Sequence, residues 1–322
     1  MDITMNRRQT LSGLAALPLP LALAQALPAA ARGTAPAAPP AVASLRLGRI
    51  SVHFLSDGVL DGPLEWWTGA PRADISRRIA SLDGGAGQSL RINLTAWLVD
   101  DGERLTLIDA AAPAGAVPTL GRLPAALRSL GVAPADIDLV AVTHGHFDHV
   151  GGLLDQGRPA FPQAELLFPR ADATLFTDPG RRAAAPDFMH SSFDLTAAAL
   201  AAYRRTQRID GERAITPFIT AVPMPGHTPG HTAYRISDAG QTLLIVGDAL
   251  FAPALHPDTT TLGIIFEADP AAARTMRERL FAQAAGENAL LAATHMPFPG
   301  LGRIRSEAGH RRWTVDRFPQ DN

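Results

Sequence analysis

Thr143-His144-Gly145-His146-Phe147-Asp148-His149 follows directly on the apolar run Leu139-Val140-Ala141-Val142. A β-branched, apolar run that ends abruptly in histidine reads as a buried strand delivering its next residues into a polar loop. The loop holds His144, His146, Asp148 and His149, four potential ligands within six residues. Such crowded imidazoles are costly unless a cation compensates them. A lone histidine is usually a hydrogen-bonded structural residue, but a cluster at this density is not. Outward from this loop, His227, Asp248 and His295 also stand just after apolar segments, and Asp248 follows Leu243-Leu244-Ile245-Val246-Gly247. Imidazole and carboxylate donors suit Zn2+, with Mn, Co or Fe also compatible, and a carboxylate at a strand end can bridge two ions. Two ions held together can share a hydroxide that is nucleophilic near neutral pH.

Composition narrows the chemistry further. The 322-residue chain is 46% apolar and has no cysteine; all 29 of its basic residues counted as Lys or Arg are arginine. A Schiff-base or P-loop lysine, a thiol nucleophile and a cysteine metal site are therefore excluded. No Gly-x-Ser-x-Gly string marks a serine hydrolase. The formal net charge of -2 and the absence of a basic run speak against nucleic acid as a partner, and so against a nuclease.

The first residues read as an address. Residues 1–31 combine Arg7-Arg8, an apolar run from Leu11 to Leu27 and small residues at Ala29-Ala30-Ala31, the layout of a signal peptide. Asn6-Arg7-Arg8-Gln9-Thr10-Leu11 is twin-arginine-like, and Pro18 and Pro20 break the run too early for a membrane span. A periplasmic or secreted protein without stable membrane insertion is expected. Residues 32–44 read as a flexible Ala/Pro-rich lead-in and residues 45–322 as one domain. Within it, strands are expected at 94–100, 105–109, 139–143, 165–168, 218–222, 232–237, 242–246 and 289–294. Helices are expected at 119–130, 170–176, 194–207 and 270–285, and 178–192 as an inserted surface loop that could overhang a site. This alternation gives an α/β fold of two sheets covered outside by helices.

His-x-His-x-Asp-His followed by single later ligands, together with Pro225-Gly226-His227-Thr228-Pro229-Gly230-His231-Thr232 and Thr294-His295-Met296-Pro297-Phe298-Pro299-Gly300, resembles the metallo-β-lactamase superfamily from about Leu45 onward. Within it, the chain looks most like the methyl parathion hydrolase, lactonase and arylesterase group. The resemblance implies an αββα sandwich of two mixed sheets with the site in the cleft between them. It implies one metal on His144, His146 and His227, a second on Asp148, His149 and His295, and Asp248 bridging, with Zn2+ the first choice for both. The activity it implies is hydrolysis of a small neutral lactone or aryl ester by a metal-bridging hydroxide, with Asp148 or Asp248 assisting the leaving oxygen. Acyl-homoserine lactones and phosphotriesters are alternatives on the same dinuclear site, and Ile264 and Phe266 look bulky for the latter. A redox diiron protein would need a flavin domain for which no length remains, and a non-catalytic metal-binding protein would not keep the full ligand set. A homodimer rests on the family alone. Phe176 and Phe251 are the expected substrate-pocket residues, ahead of Phe147 and Phe266. Asp109 and His231 are expected to orient ligands, and Trp66-Trp67 to be buried, with pocket lining as the alternative. His53, His190, His256 and His310 are expected to be ordinary packing or surface residues.

Overall fold

Alternate residues of the strand Ile50–Pro63, namely Ile50, Val52 and Phe54, are fully buried, and their partners on Ser89–Asp100 include Trp97 and Val99. This period of two sends one face of a seven-stranded sheet into the interior. The computed structural model describes residues 41–83, 87–253, 255–256, 259–307 and 310–316. The segment 1–31 read as a signal peptide, and residues 32–40 of the lead-in, lie outside the described residues. Residues Pro39–Asn322 group into one unit.

The first sheet runs Val42–Leu47, Ile50–Pro63, Ser89–Asp100, Leu105–Ile108, Leu139–Ala141, Glu165–Pro169, Thr206–Ile209; the first three pairings are antiparallel and the last three parallel. The second runs Arg213–Ala214, Ile219–Pro223, Thr232–Asp238, Gln241–Ile245, Leu290–Ala292, Leu301–Glu307, His310–Val315 and is parallel only between Gln241–Ile245 and Leu290–Ala292. The sheets meet through Phe54, Trp97, Ile108 and Leu167 on one side and Tyr234, Ile236, Ile245 and Leu301 on the other. Helices Leu123–Ser129, Arg170–Phe176 and His190–Ala202 pack on the outer face of the first sheet. Helix Pro270–Glu287 covers the second with Leu280, Phe281 and Ala284. That helix carries its own signals: Asp269 accepts hydrogen bonds from Ala271 and Ala272 N–H at 3.0 and 2.9 Å, Pro270 opens the first turn, and Asn288 closes it in the left-handed conformation. The result is the αββα sandwich of two mixed sheets. Among the described residues, no helix is long and apolar enough to cross a membrane.

Several expectations need correction. The strand Val42–Leu47 begins inside the span read as flexible lead-in, because Leu45 and Leu47 are buried opposite Val52 and Ile50. The helix expected at 119–130 is confined to Leu123–Ser129. Residues 206 and 207, read as the tail of the helix 194–207, belong instead to the edge strand Thr206–Ile209, which pairs with Leu166–Pro169. The helix itself starts earlier, at His190, so the segment 178–192 is not a loop: it contains the short helix Pro179–Ala184, capped by Asp178, and a 3-10 turn at Asp187–Met189. Strand Ile50–Pro63 escaped the sequence reading because a register shift between Ser56 and Gly58 interrupts its alternation. There Gly58 has φ +133°, and a Cβ on it would lie 1.8 Å from the Thr119 carbonyl oxygen. The fully buried Asp57 beside it accepts hydrogen bonds from Leu123, Gly121 and Ala112 N–H at 2.9, 3.0 and 3.3 Å, tying down the chain between sheet and helix.

Candidate metal centre

The parallel strands Leu105–Ile108 and Leu139–Ala141 deliver Asp109 and the 143–149 loop to one end of the first sheet. In the second sheet, Gln241–Ile245 and Leu290–Ala292, also parallel, deliver Asp248 and His295. His227 comes from the loop after Ile219–Pro223. Crevices beyond the carboxyl ends of strands are where such folds collect functional side chains.

All seven residues predicted as metal ligands come together there. Donor atoms of His144, His146, His227 and Asp248 form one group within 4.8 Å of one another, and those of Asp148, His149 and His295 form a second. His146 Nδ1 lies 3.0 Å from His144 Nε2 and 2.9 Å from His227 Nε2. Asp248 stands between the groups: Oδ2 is 3.3 Å from His227 Nε2 and 3.1 Å from His295 Nε2, while Oδ1 is 3.1 Å from His149 Nε2. His295 Nε2 lies 3.5 Å from Asp148 Oδ2.

Outer partners fix which nitrogen faces inward. His149 Nδ1–H donates to Asp109 Oδ2 at 2.8 Å, and Thr143 Oγ1–H donates to the same oxygen at 2.8 Å. The Thr143 hydroxyl then accepts from His144 Nδ1–H at 3.0 Å. His295 Nδ1–H donates to the Asn93 carbonyl at 2.9 Å. Each bond leaves an Nε2 lone pair aimed into the centre. Asp109, at φ +61°, thus orients two imidazoles through one carboxylate. His231 is committed on both sides: Nδ1–H donates to the Met224 carbonyl at 3.0 Å and Nε2 accepts from Asp248 N–H at 3.1 Å. Burial, with repulsion from His227, brings its pKa down to about 3, so it stays neutral and supports Asp248 rather than joining the ligands.

The electrostatics suit a cation. Burial, reinforced by neighbouring imidazoles, lowers His144 and His146 well below the usual histidine value, keeping them neutral with lone pairs available. Burial also disfavours charge on His149, yet Asp248, Asp109 and Asp148 outweigh it and raise its pKa well above the ordinary value. Both His149 Nε2 and Asp248 Oδ1 are buried without a hydrogen-bond partner. Converging lone pairs, carboxylates in excess and unpartnered buried donors fit divalent metal ions better than any distribution of protons.

Asp172 had no sequence signal, because one acid in the first turn of a short helix resembles a solvated residue. It is fully buried. Its Oδ2 accepts from Gly145 N–H and Thr228 Oγ1–H, both at 2.8 Å, and its Oδ1 from Gly230 N–H at 2.6 Å, so it joins the 143–149 loop to the His227 loop. Burial pushes its pKa up to about 6 despite those bonds.

A narrow cavity opens onto the donors. Its other walls are Leu60, Trp66, Ile92, Phe147, Phe188, Ser192, Phe251, Ile264 and Phe266. Phe251 lies on this wall, as expected, and stacks on His295 with ring centroids 5.6 Å apart. Phe176 does not line it; its ring is buried behind the ligands, edge-on to His146 at 5.7 Å and packed on Phe193 at 5.0 Å. It fits there because a Cβ on Gly145 would come within 2.3 Å of it. Phe147, Phe266 and Trp66 are on the wall, whereas Trp67 is core. Phe188 and Ser192, from the segment read as a loop, complete the overhang.

A family model for the metallo-beta-lactamase superfamily matches residues 93–295, which contain every one of these candidate donors. The chain belongs to the metallo-beta-lactamase superfamily. Among curated proteins it is similar to metallo-beta-lactamase domain-containing protein 1 of Rattus norvegicus, with 41% identity over 96 residues, 30% of this chain and 32% of the rat protein. The chain thus spans about a third of that relative's length. Among solved structures, hydrolase AbOPH of the beta lactamase superfamily has a TM-score of 0.79 at 25% identity, covering 87% of this chain and 98% of its own. AidC, a dizinc quorum-quenching lactonase, has a TM-score of 0.77 at 22% identity, covering 88% and 99%, which supports the fold.

The outer partners lead to a prediction. Asp109→Asn should weaken metal binding by about 10–100-fold, the usual cost of losing an outer partner, with little change in secondary structure. Competition titration with a chromophoric chelator measures it. Unchanged affinity would show that Asp109 does not set the ligand geometry.

Proposed function

We propose that this protein is a metal-dependent hydrolase of uncharged lactones and aryl esters. The observation that carries this reading is an apolar, aromatic cavity opening directly onto two clusters of His and Asp donors. No arginine lines that cavity among the described residues, so an anionic group away from the metal donors would lack a counter-charge there. Trp66, Phe188 and Phe266 form an edge-to-face aromatic group, with Phe266 5.0 Å from Trp66 and 5.2 Å from Phe188, suited to a planar apolar substituent. Ile264 and Phe266 narrow the wall where a branched phosphotriester would need room. The likeness to a hydrolase and a dizinc lactonase supports the same class.

His144, His146 and His227 would hold one ion, and Asp148, His149 and His295 the other, with Asp248 shared. Zn2+ is the ion that best suits this donor set. When bound, such ions supply Lewis acidity for the carbonyl and acidify water. The chain's residues do the rest. The aromatic wall excludes bulk water and orients the ester, while Asp148, on the cavity wall, can take a proton from the attacking water and pass it to the leaving oxygen.

The test is metal analysis of the purified protein coupled to turnover of dihydrocoumarin, hexanoyl-homoserine lactone, p-nitrophenyl acetate and methyl parathion. About two metals per chain are expected, with lactone and ester turnover lost on chelation and restored by Zn2+. Turnover of methyl parathion alone would replace the substrate class. Inactivity of the metal-loaded protein on all four would overturn the reading.

A further inference from the structure

Ser192 is a polar residue on an otherwise apolar wall. Apart from the proposed ligands, the side-chain hydrogen-bond donors lining the cavity are its hydroxyl and the Trp66 indole N–H. The indole sits among aromatic rings, edge-on to Phe266. Ser192 lies instead beside the reacting end: its Oγ accepts from Phe147 N–H at 3.0 Å, and Phe147 immediately precedes Asp148. That is the one hydrogen bond it makes among the described residues, and it uses a lone pair, so the hydroxyl proton has no acceptor among them. Ser192 is only 2% exposed and lines the cavity, so its hydroxyl is approached from the cavity side. A buried donor left without an acceptor is costly unless a ligand completes it. Other proton donors are spent elsewhere: Tyr203 O–H donates to the Leu153 carbonyl at 3.0 Å and Tyr234 O–H to the Val142 carbonyl at 2.7 Å. The chain has no lysine.

The geometry points to Ser192 as a catalytic residue that donates a hydrogen bond to the leaving oxygen of the bound ester or lactone. This rests on the hydrolase reading and adds a role to the same site. In the step concerned, the carbonyl carbon gains a bond to the oxygen of water and loses its bond to the leaving oxygen, which takes the electron pair. One proton of the water passes through Asp148 to that oxygen, so ester and water become acid and alcohol. Ser192 keeps its own proton throughout and stabilises the charge as it builds. Its position beside Phe147 and Asp148 places the hydrogen-bond donor and the proton carrier on one stretch of wall.

A leaving-group series separates this role from a structural one. With p-nitrophenyl, phenyl and alkyl acetates, Ser192→Ala should lower kcat by up to about 10²-fold for the poor leaving groups, far less for p-nitrophenol, and leave KM and metal content unchanged. Ser192→Thr retains the hydroxyl and should keep the wild-type dependence on leaving group even if packing slows it. Calorimetry adds a readout without turnover: a phosphonate monoester analogue of the best ester should bind Ser192→Ala more weakly. If Ser192→Ala does not hold its metals, the series is run on Ser192→Cys, whose thiol is a weak donor. A loss uniform across leaving groups, or no loss in a protein that hydrolyses esters, overturns the role of Ser192 alone. A wild-type protein that hydrolyses no ester overturns it together with the hydrolase reading.

Discussion

Asp248→Ala should abolish the proposed ester and lactone turnover in the steady state and reduce the metal held per chain, a larger loss than the ~10–100-fold expected for an outer partner such as Asp109. Asp248 stands between the two donor groups, Oδ2 near His227 of one and His295 of the other and Oδ1 near His149, so one substitution removes a donor shared by both. It also leaves His144, His149 and His295 buried without the carboxylate that opposes their mutual repulsion. Burial opposes ionisation of Asp248, yet His295, His149 and His144 hold it well below the usual carboxylate range, so it is charged throughout the working pH range. Asp248→Asn keeps the shape but not the charge and should lose metal nearly as completely. Metal analysis after gel filtration, beside kcat on p-nitrophenyl acetate, checks both variants. A fully metallated Asp248→Ala with unchanged kcat would refute the shared-carboxylate assignment.

What was legible in the sequence follows physical lines. The candidate metal donors were readable because histidines clustered after apolar strands have few inexpensive structural explanations, and the internal alternation of Thr232–Asp238 and the capped helix Pro270–Glu287 are local signals. The unreadable parts are long-range. Asp57 and Asp172 look like ordinary surface acids until the fold brings backbone N–H groups from 55 to 66 residues away onto one and from 27 and 58 residues away onto the other. Strand Ile50–Pro63 was hidden by its register shift, and Thr206–Ile209 by helix-compatible residues that only sheet pairing turns into a strand. Phe176 and Phe251 were indistinguishable as apolar residues near ligands. Which one faces the cavity depends on Gly145 making room for Phe176 behind His146.

Arg277→Ala should destabilise the folded protein by about 3–5 kcal/mol, because it strands a buried carboxylate. Arg277 and Glu267 form an ion pair with side chains 1% and 0% exposed, and Glu267 Oε2 has no further partner. The segment so anchored carries Ile264 and Phe266 on the cavity wall. It also hydrogen-bonds the ligand loop, with Ala268 N–H donating to the His227 carbonyl at 2.8 Å and Asp269 N–H to the Gly226 carbonyl at 3.0 Å. Loss of the pair therefore reaches both the wall and His227, and KM for aryl esters should rise along with the fall in stability. The pair is not a net source of stability in the same measure, since two charges had to leave water to form it. Arg277→Met combined with Glu267→Leu should thus match the wild-type stability or exceed it by up to about 4 kcal/mol. Urea unfolding of the metal-loaded proteins, compared by midpoint at unchanged slope, measures both effects. A double variant as unstable as Arg277→Ala would mean that the charges themselves, rather than the packing around them, hold the segment in place.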